Sequence, residues 1–143
     1  MKQEHKDLLL KDLSARVPYG VKAYVKYWSK LERKWIEGIY TVKSVYPSPL
    51  STIFVVSELG SVEVILGHDD YEIKPYLFPM SSMPEESERE FDATLEWVDT
   101  SEGYSESVLT YDSFDCLNKC HIDYRDLISI GLANDATGLN IYD

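Results

Sequence analysis

Cysteine and histidine are scarce in this chain, and the motifs that usually carry catalysis are lacking. Of its 143 residues two are cysteines, Cys116 and Cys120, and three are histidines. Two cysteines four positions apart are too few for a disulfide framework, so we expect a reducing, cytoplasmic environment. There is no Walker phosphate-binding loop, no dinucleotide-binding glycine pattern and no carboxylate pair whose placement can be argued. We therefore predict that the protein is not an enzyme.

Long apolar runs are lacking too. Near the N-terminus the apolar run is limited to residues 8–10 and stands among charged residues. Such a segment indicates neither a secretory signal nor a membrane span, so we expect a soluble chain without a membrane partner. A chain of 143 residues, 44% of them hydrophobic, is long enough for one domain with its own core and short for two. We divide this single domain, residues 1–143, into an N-terminal helix (1–19), a barrel (20–79) and an acidic helical part (80–143).

Basic residues are few and unevenly placed. The formal net charge is -11, from 14 Lys and Arg against 25 Asp and Glu. Residues 1–79 carry 11 basic and 10 acidic side chains, whereas residues 80–143 carry 3 and 15, so all the excess acidity is C-terminal. Two interpretations stay open. The acids form a solvated surface that keeps the protein soluble, or an acidic face for a basic partner, such as a DNA-binding protein whose nucleic-acid site the chain occupies.

Short segments of alternating apolar and polar residues fill the first half of the chain. This alternation has a period of two, which is typical of half-buried β-strands. Turn-forming residues separate the segments at 47–49, 59–61 and 67–70. Strands this short, joined by tight turns, favour a curled antiparallel sheet of the SH3-like or OB-like kind. We predict an α+β fold with a small SH3-like β-barrel, an N-terminal helix and C-terminal helices; the barrel strands are 21–27, 36–42, 53–56, 62–66 and a last strand through Ile73.

An amphipathic helix precedes the barrel, over residues 2–15, with an apolar stripe of leucines. Pro18 and Gly20 end it. We expect the helix to lie across the open end or edge of the barrel, because a small sheet with an uncovered apolar face is not stable alone. Gly38 predicts a bulge in the second strand. Pro47 and Pro49 predict a stiff connection after it.

Two prolines shape the segment at the end of the barrel. Pro75 and Pro79 hold the residues before them extended, which predicts a straight arm leaving the barrel. Ser82 is the predicted N-cap of the next helix, with Pro84 and several acids in its first turn.

The remaining residues predict a loop and two short helices. Residues 94–98 fit a short strand or the end of a helix, and a polar loop comes after them. Asp112 or Ser113 caps the first helix; Asp123 caps the second, which ends at Gly131. The two helices resemble a helix-turn-helix in outline, but their acidic side chains would be repelled by phosphate, so we do not expect them to read DNA.

Aromatic and basic residues of the barrel and arm are the candidates for ligand contact. Trp28 and Trp35 stand at the two ends of a predicted charged loop, and Tyr76 and Phe78 stand on the arm. Such residues can hold a peptide or a single-stranded nucleic acid by stacking, although each of the four has an alternative role in the core. The basic residues that would support nucleic-acid binding are Lys22, Lys26 and Lys43, with Lys30, Arg33 and Lys34 near them and Tyr24 as a further aromatic residue. Acids in the same segments oppose such binding: Glu32, Glu37, Glu58 and Glu63.

The cysteines do not form a recognisable metal site. At helical spacing Cys116 and Cys120 share a face, whereas His121 is turned about 100° further round, and no second pair of ligands with zinc spacing exists. We predict small buried thiols, no metal and no cofactor. No motif supports a cysteine–histidine nucleophile. The run of His68 and two aspartates is explained more simply by a turn than by a metal.

Two strings resemble a known family. Residues 73–83 read IKPYLFPMSSM, with two glutamates at 85 and 86, and residues 117–128 read LNKCHIDYRDLI. They resemble a family of short uncharacterised proteins from phages and mobile elements of gut bacteria. In that family arginine commonly stands at the position of Phe78, and a histidine pair often stands at Cys120 and His121. The resemblance implies an origin in a prophage or integrated element and a cytoplasmic accessory role, and it implies no activity.

These observations predict a noncatalytic protein-interaction module that binds an unknown protein, with a basic protein as one candidate partner. Trp28, Trp35, Tyr76 and Phe78 are its candidate contacts. Two alternatives stay open. One is a single-stranded nucleic-acid-binding accessory protein that uses the lysine and tryptophan face. The other is an acidic inhibitor of a basic DNA-binding protein.

Overall fold

The computed structural model of the protein describes residues 1–46, 51–58 and 60–142. Within them the fold is α+β, with three helices, a seven-stranded and mostly antiparallel sheet, and a separate two-stranded hairpin. The helices are α1 (Gln3–Arg16), α2 (Glu85–Thr94) and α3 (Tyr111–Lys119). The strands are β1 (Lys22–Ser29), β2 (Lys34–Tyr46), β3 (Thr52–Ser57), β4 (Gly60–Ile65), β5 (Tyr71–Pro79), β6 (Glu96–Asp99), β7 (Ser105–Val108), β8 (Ile122–Asp123) and β9 (Asn134–Asp135).

The N-terminal helix forms as predicted. Leu9 and Leu13 of α1 are fully buried in the same core as the inner residues of the sheet. A 3-10 turn, Val17–Tyr19, comes after α1, and Gly20 has a left-handed φ of 69°, which glycine adopts without steric cost. The helix therefore covers the apolar face of the sheet and completes its core.

Antiparallel pairing of neighbouring strands builds most of the sheet. The strand order is β4-β3-β2-β1-β5, so β1 is central and pairs along its whole length with β2. Ala23 and Val25 face the core and are fully buried, whereas Lys22, Tyr24 and Lys26 lie on the opposite face. The predicted period of two is thus confirmed for this strand: one face of the sheet packs on the core and the other does not.

The sheet is not closed into a barrel, so the expected SH3-like barrel is not confirmed. Across the described residues β4 and β5 stand at opposite sides of the antiparallel order and share no pairing. Instead, the last residues of β5 pair in parallel with β8 and β9. Closure was expected from the short strands, but β4 pairs with β3 alone among the described strands, and the end of β5 pairs with segments more than forty residues later in the sequence.

The predicted arm is extended, but it does not leave the sheet. The first half of β5 pairs with β1 as far as Pro75, and the second half runs from Tyr76 to Pro79 along β8 and β9. The strand continues through Pro75 to Pro79, so the segment is extended as expected. A 3-10 turn, Met80–Ser82, then connects β5 to the segment that enters α2.

The predicted N-caps of α2 and α3 are wrong. The N-cap of α2 is Pro84, not Ser82, and no side chain caps it. Thr110, rather than Asp112 or Ser113, caps α3; its hydroxyl accepts from the Ser113 N–H in a reciprocal capping box.

The predicted second C-terminal helix does not form. The Asp123 carboxylate accepts the N–H groups of Leu127 and Ile128, both at 2.9 Å, but it organises a series of turns rather than a helix. Asp126 adopts a left-handed φ of 63°, which interrupts helical geometry.

The bulge in β2 lies between Val42 and Ser44 rather than at Gly38, which pairs regularly with Val25. The charged loop between the two tryptophans is also shorter than expected, because Trp28 and Trp35 are both strand residues. Predictions for residues 47–50 and for position 59 lie outside the described residues. No helix in the described part of the chain is long and apolar enough to cross a membrane.

Candidate functional site

The face of the sheet opposite α1 presents an aromatic pair. Trp28 and Trp35 are directly opposed across β1 and β2, with ring centroids 5.5 Å apart in an edge-to-face arrangement. The Nζ of Lys26 lies 5.3 Å from the centroid of the Trp35 ring, within cation–π range. Trp35 is 48% exposed and Trp28 is 36% exposed. Two of the four predicted contact residues therefore form one open cluster with a lysine.

Tyr76 and Phe78 are not part of this cluster. The register that opposes Ala23 and Pro75 places Tyr76 beside Lys22, at the far end of β1 from Trp28. Phe78 is half-buried, with its ring centroid 6.0 Å from that of Tyr142. Phe78 thus contacts the C-terminal segment, and neither Phe78 nor Tyr76 belongs to the buried core cluster of the described residues.

The lysines predicted for nucleic-acid binding share the outer face with acids. Lys26 is opposed by Glu37 on β2 and by Glu72 on β5. Tyr24 donates to Glu37 at 2.7 Å, and this hydrogen bond is the main reason why the pKa of Tyr24 rises to about 12. Lys22 and Lys43 lie toward the other end of the sheet, so the face alternates in charge rather than forming a basic groove.

Residues 85–119, comprising α2, β6, β7 and α3, form what we call the acidic lobe. From residue 90 to residue 118 the sequence contains eight Asp and Glu and no Lys or Arg. The helices α2 and α3 pack against each other, and β6 and β7 form the hairpin between them. The part of the sequence with the largest excess of acidic over basic residues therefore belongs to one structural unit.

The hairpin of the acidic lobe projects from the molecule. All eight residues of β6 and β7 are exposed, and Trp97 is 70% exposed. Its turn is held by the Thr100 N–H, which donates to the Tyr104 carbonyl at 2.8 Å, and by a left-handed Gly103. Among the described residues its strands pair only with each other. An isolated two-stranded hairpin is only marginally stable by itself.

Hydroxyl groups clamp the base of the hairpin. The Thr110 hydroxyl donates to the Thr94 carbonyl at 3.0 Å, which joins the start and the end of the hairpin. Ser113, which is fully buried, lies with its Oγ 2.8 Å from the Thr94 hydroxyl and accepts the Thr110 N–H at 2.9 Å. The ends of the hairpin are thus fixed although its strands are exposed.

A buried ionic network connects α1 with the C-terminal segment. The fully buried Arg16 donates from Nε to Asp12 at 2.9 Å and from Nη2 to the Ile122 carbonyl at 2.6 Å. Arg125 donates to the same carboxylate at 3.1 Å, and its guanidinium lies 4.8 Å from the centroid of the Tyr124 ring. Nothing in the sequence pattern pointed to this network, because charged residues on an amphipathic helix are normally assigned to its solvated face.

His121 is part of the packing of the C-terminal segment and lies apart from the cysteine cluster. Its ring stacks on Tyr142, with centroids 3.7 Å apart and planes 14° apart. Burial, with smaller effects from Arg16 and Lys22, lowers the pKa of His121 to about 4. Its Nδ1 is buried and has no hydrogen-bond partner among the described residues. The histidine is therefore neutral at physiological pH.

Cys116 and Cys120 meet a carboxylate that the sequence did not suggest. The Sγ of Cys120 lies 3.6 Å from Oε2 of Glu90 on α2, and the three ligand atoms lie within 4.8 Å of one another. Oε1 of Glu90 accepts from Lys119 at 3.1 Å, and this bond lowers the pKa of Glu90. Only the packing of α2 on α3 brings these residues together, so local spacing gave no signal.

No protein-family model, curated protein or solved structure matches this chain in the comparisons made with it. The candidate site therefore rests on the geometry of the acidic lobe and of the outer sheet face.

Proposed function

We propose that this chain is a noncatalytic protein-interaction module that binds a basic protein surface through its acidic lobe. The observation that carries the proposal is the projecting hairpin, whose exposed strands hold an exposed tryptophan within a 29-residue stretch lacking Lys and Arg. Two strings of the sequence resemble proteins of phages and mobile elements, and this resemblance supports an origin in such an element. It does not identify the partner.

Charge complementarity identifies the chemistry of the partner. Glu96, Asp99, Glu102 and Glu106 stand on the hairpin, and five further acids stand on α2 with a single arginine. A field of one sign attracts lysine- and arginine-rich surfaces and speeds their association. It also repels phosphate, so the lobe competes with nucleic acid for a basic site instead of binding nucleic acid itself.

Exposed aromatic residues give this surface more than charge. Trp97 and Tyr104 are 70% and 51% exposed. Large aromatic side chains are enriched at the centres of protein interfaces, where burial of their rings supplies most of the affinity. The acids of the hairpin then form the polar rim that selects a basic partner.

The test is an affinity pull-down from nuclease-treated lysate of the native host. It compares the proteins captured by the wild-type chain with those captured by matched variants of the full chain. One variant carries Glu96→Gln, Glu102→Gln and Glu106→Gln; its control removes three exposed charges elsewhere, by Glu32→Gln, Glu58→Gln and Glu63→Gln. A second variant carries Trp97→Ala, and its control is Trp35→Ala. We expect the wild-type chain to capture a basic protein in stoichiometric amount. Both hairpin variants should bind this protein at least about tenfold more weakly, and both controls should bind it as tightly as the wild-type chain does.

Two results would overturn the proposal. One is equal capture by the hairpin variants and by the wild-type protein. The other is capture that depends on Trp35 but not on Trp97.

Binding of single-stranded nucleic acid is the second candidate, favoured by the open Trp28, Trp35 and Lys26 cluster. Stacking of bases on aromatic rings beside a cation is the usual basis of such binding. The test is fluorescence anisotropy with a labelled single-stranded oligonucleotide over a salt titration. Binding that weakens steeply with salt and is lost in Trp35→Ala and Lys26→Ala would establish this candidate; no binding at low salt would eliminate it.

A further inference from the structure

Glu90, Cys116 and Cys120 form a cluster of metal-ligand type where α2 meets the end of α3, with Glu90 exposed and Cys116 buried. Cys116 lies in α3, Cys120 is the C-cap of that helix and Glu90 lies on α2. We propose that these three side chains bind a thiophilic divalent cation of the zinc class, with a fourth position open to water.

The separations suit tetrahedral coordination. With Zn–S bonds of about 2.3 Å and a Zn–O bond of about 2.0 Å, the sulfur and oxygen ligands of one ion stand roughly 3.5 Å apart, and two sulfur ligands about 3.8 Å apart. Cys120 Sγ and Glu90 Oε2 are already 3.6 Å apart. The three ligand atoms all lie within 4.8 Å of one another, so small side-chain rotations complete the site.

The chemistry of the donor set selects the kind of ion. Thiolate sulfur favours Zn²⁺ and similar soft or borderline cations over Mg²⁺ and Ca²⁺, which prefer oxygen. Two thiolates and a carboxylate around a divalent ion leave one net negative charge. The Nζ of Lys119 lies 3.1 Å from the other oxygen of Glu90, where it can balance that charge and orient the carboxylate.

Binding requires the loss of thiol protons. Burial, with a further effect of Cys120, raises the pKa of Cys116 to about 12, so this residue is a thiol at neutral pH. As the ion binds, two S–H bonds are replaced by two metal–sulfur bonds, and both protons pass to the buffer. Affinity therefore rises with pH; the other titratable groups that face the thiols are Glu90 and Lys119.

The position of the cluster gives the ion a structural effect. Its ligands come from α2 and from the end of α3, which are the two helices that flank the exposed hairpin. A bound ion would fasten these helices together and stabilise the folded state according to its concentration and affinity. The two proposals rest on different observations: no hairpin residue is a ligand, and Glu90 is the one ligand among the acids that contribute to the charge of the lobe.

The test measures binding of Zn²⁺ alone to the reduced, tag-free chain, by competition with a chromophoric chelator. We expect one ion per chain. Loss of an outer-shell partner already costs about 10–100-fold in metal affinity, so Cys116→Ser, Cys120→Ser and Glu90→Gln should each weaken binding by at least about tenfold. Glu86→Gln, on the same helix, and His121→Asn should leave the affinity unchanged.

Co²⁺ and alkylation give readouts that need no variant. The wild-type chain with Co²⁺ should show sulfur-to-metal charge-transfer absorption, and Zn²⁺ should protect Cys120, the less buried thiol, from iodoacetamide. Equal alkylation rates of Cys120 with and without Zn²⁺ would overturn the proposal, even if the cysteine variants fail to fold. Unchanged affinity in Glu90→Gln would also overturn it, because the site would then lack its carboxylate ligand.

Discussion

Asp12 illustrates how much a single buried charge decides in this molecule. Its carboxylate is fully buried and accepts from Arg16 and Arg125. We expect Asp12→Ala to lower the free energy of unfolding by about 3–5 kcal/mol, because a fully buried guanidinium then lacks its counter-ion. Urea denaturation of Asp12→Ala is compared with that of Asp7→Ala, an exposed acid on the same helix. Similar losses in the two variants would show that the network is not stabilising.

His121 makes stability depend on pH. Its folded pKa of about 4 lies below the ordinary value of 6.5, so between these values the unfolded chain binds a proton that the folded chain does not. The contribution is complete above about pH 6.5 and is lost progressively as pH falls from 6.5 through 4; between pH 7 and pH 5 the expected loss is roughly 2 kcal/mol. The measurement is urea denaturation at pH 7 and pH 5.

Asn is the suitable replacement for His121, because the residue has a left-handed φ of 60° that asparagine tolerates. His121→Asn should lose less stability between pH 7 and pH 5 than the wild-type protein. An equal loss in both would assign the pH dependence to other groups.

At the scale of elements, Tyr142 joins two strands where their own pairing stops. Its hydroxyl accepts the Lys22 N–H at 2.8 Å and donates to the Tyr76 carbonyl at 2.8 Å. Tyr142→Phe keeps the ring and leaves both backbone groups without this partner. We expect a loss of about 1–3 kcal/mol in the free energy of unfolding. Tyr111→Phe, at a 92% exposed tyrosine, is the control and should change nothing measurable.

The strands also differ in local stability. β1 lies in the centre of the sheet, whereas both strands of the β6–β7 hairpin are exposed. Native-state hydrogen exchange should therefore be slowest in β1, close to the global unfolding limit, and nearly unprotected in β6 and β7. Hairpin amides as slow as those of β1 would mean that the hairpin is covered in solution.

The sequence predicted elements that depend on neighbouring residues and missed those that depend on distant ones. The alternation in β1 and the leucines of α1 are local consequences of a one-sided core, so both were predictable. β8 and β9 have two residues each and exist only through β5, so no periodicity could indicate them. The same holds for Glu90 beside the cysteines. A short strand at 94–98 was one of two interpretations of that segment, but its partner β7 was missed, because strands exposed on both faces have no burial pattern.

At the scale of the molecule, the hairpin is separable from the fold. Residues 96–109 are exposed except for a half-buried Thr100, and the flanking segments are joined by the bond from Thr110 to Thr94. Replacing these residues by a short Gly/Ser linker should change the free energy of unfolding by no more than about 1 kcal/mol while abolishing partner capture. Thermal unfolding and the capture assay measure the two effects. A collapse of cooperative unfolding would show that the hairpin belongs to the folding unit.

The hydrogen bonds of the Tyr142 hydroxyl can form only late in the synthesis of the chain. Lys22, whose N–H the hydroxyl accepts, is made 120 residues earlier, and at about 5–20 residues per second that interval is roughly 6–24 s. Ile122, whose carbonyl accepts from Arg16, is made 106 residues after Arg16. The first four strands can pair long before either partner exists. A nascent chain can therefore have these strands paired while Arg16 and the Lys22 end of β1 still lack the partners that they have in the folded protein.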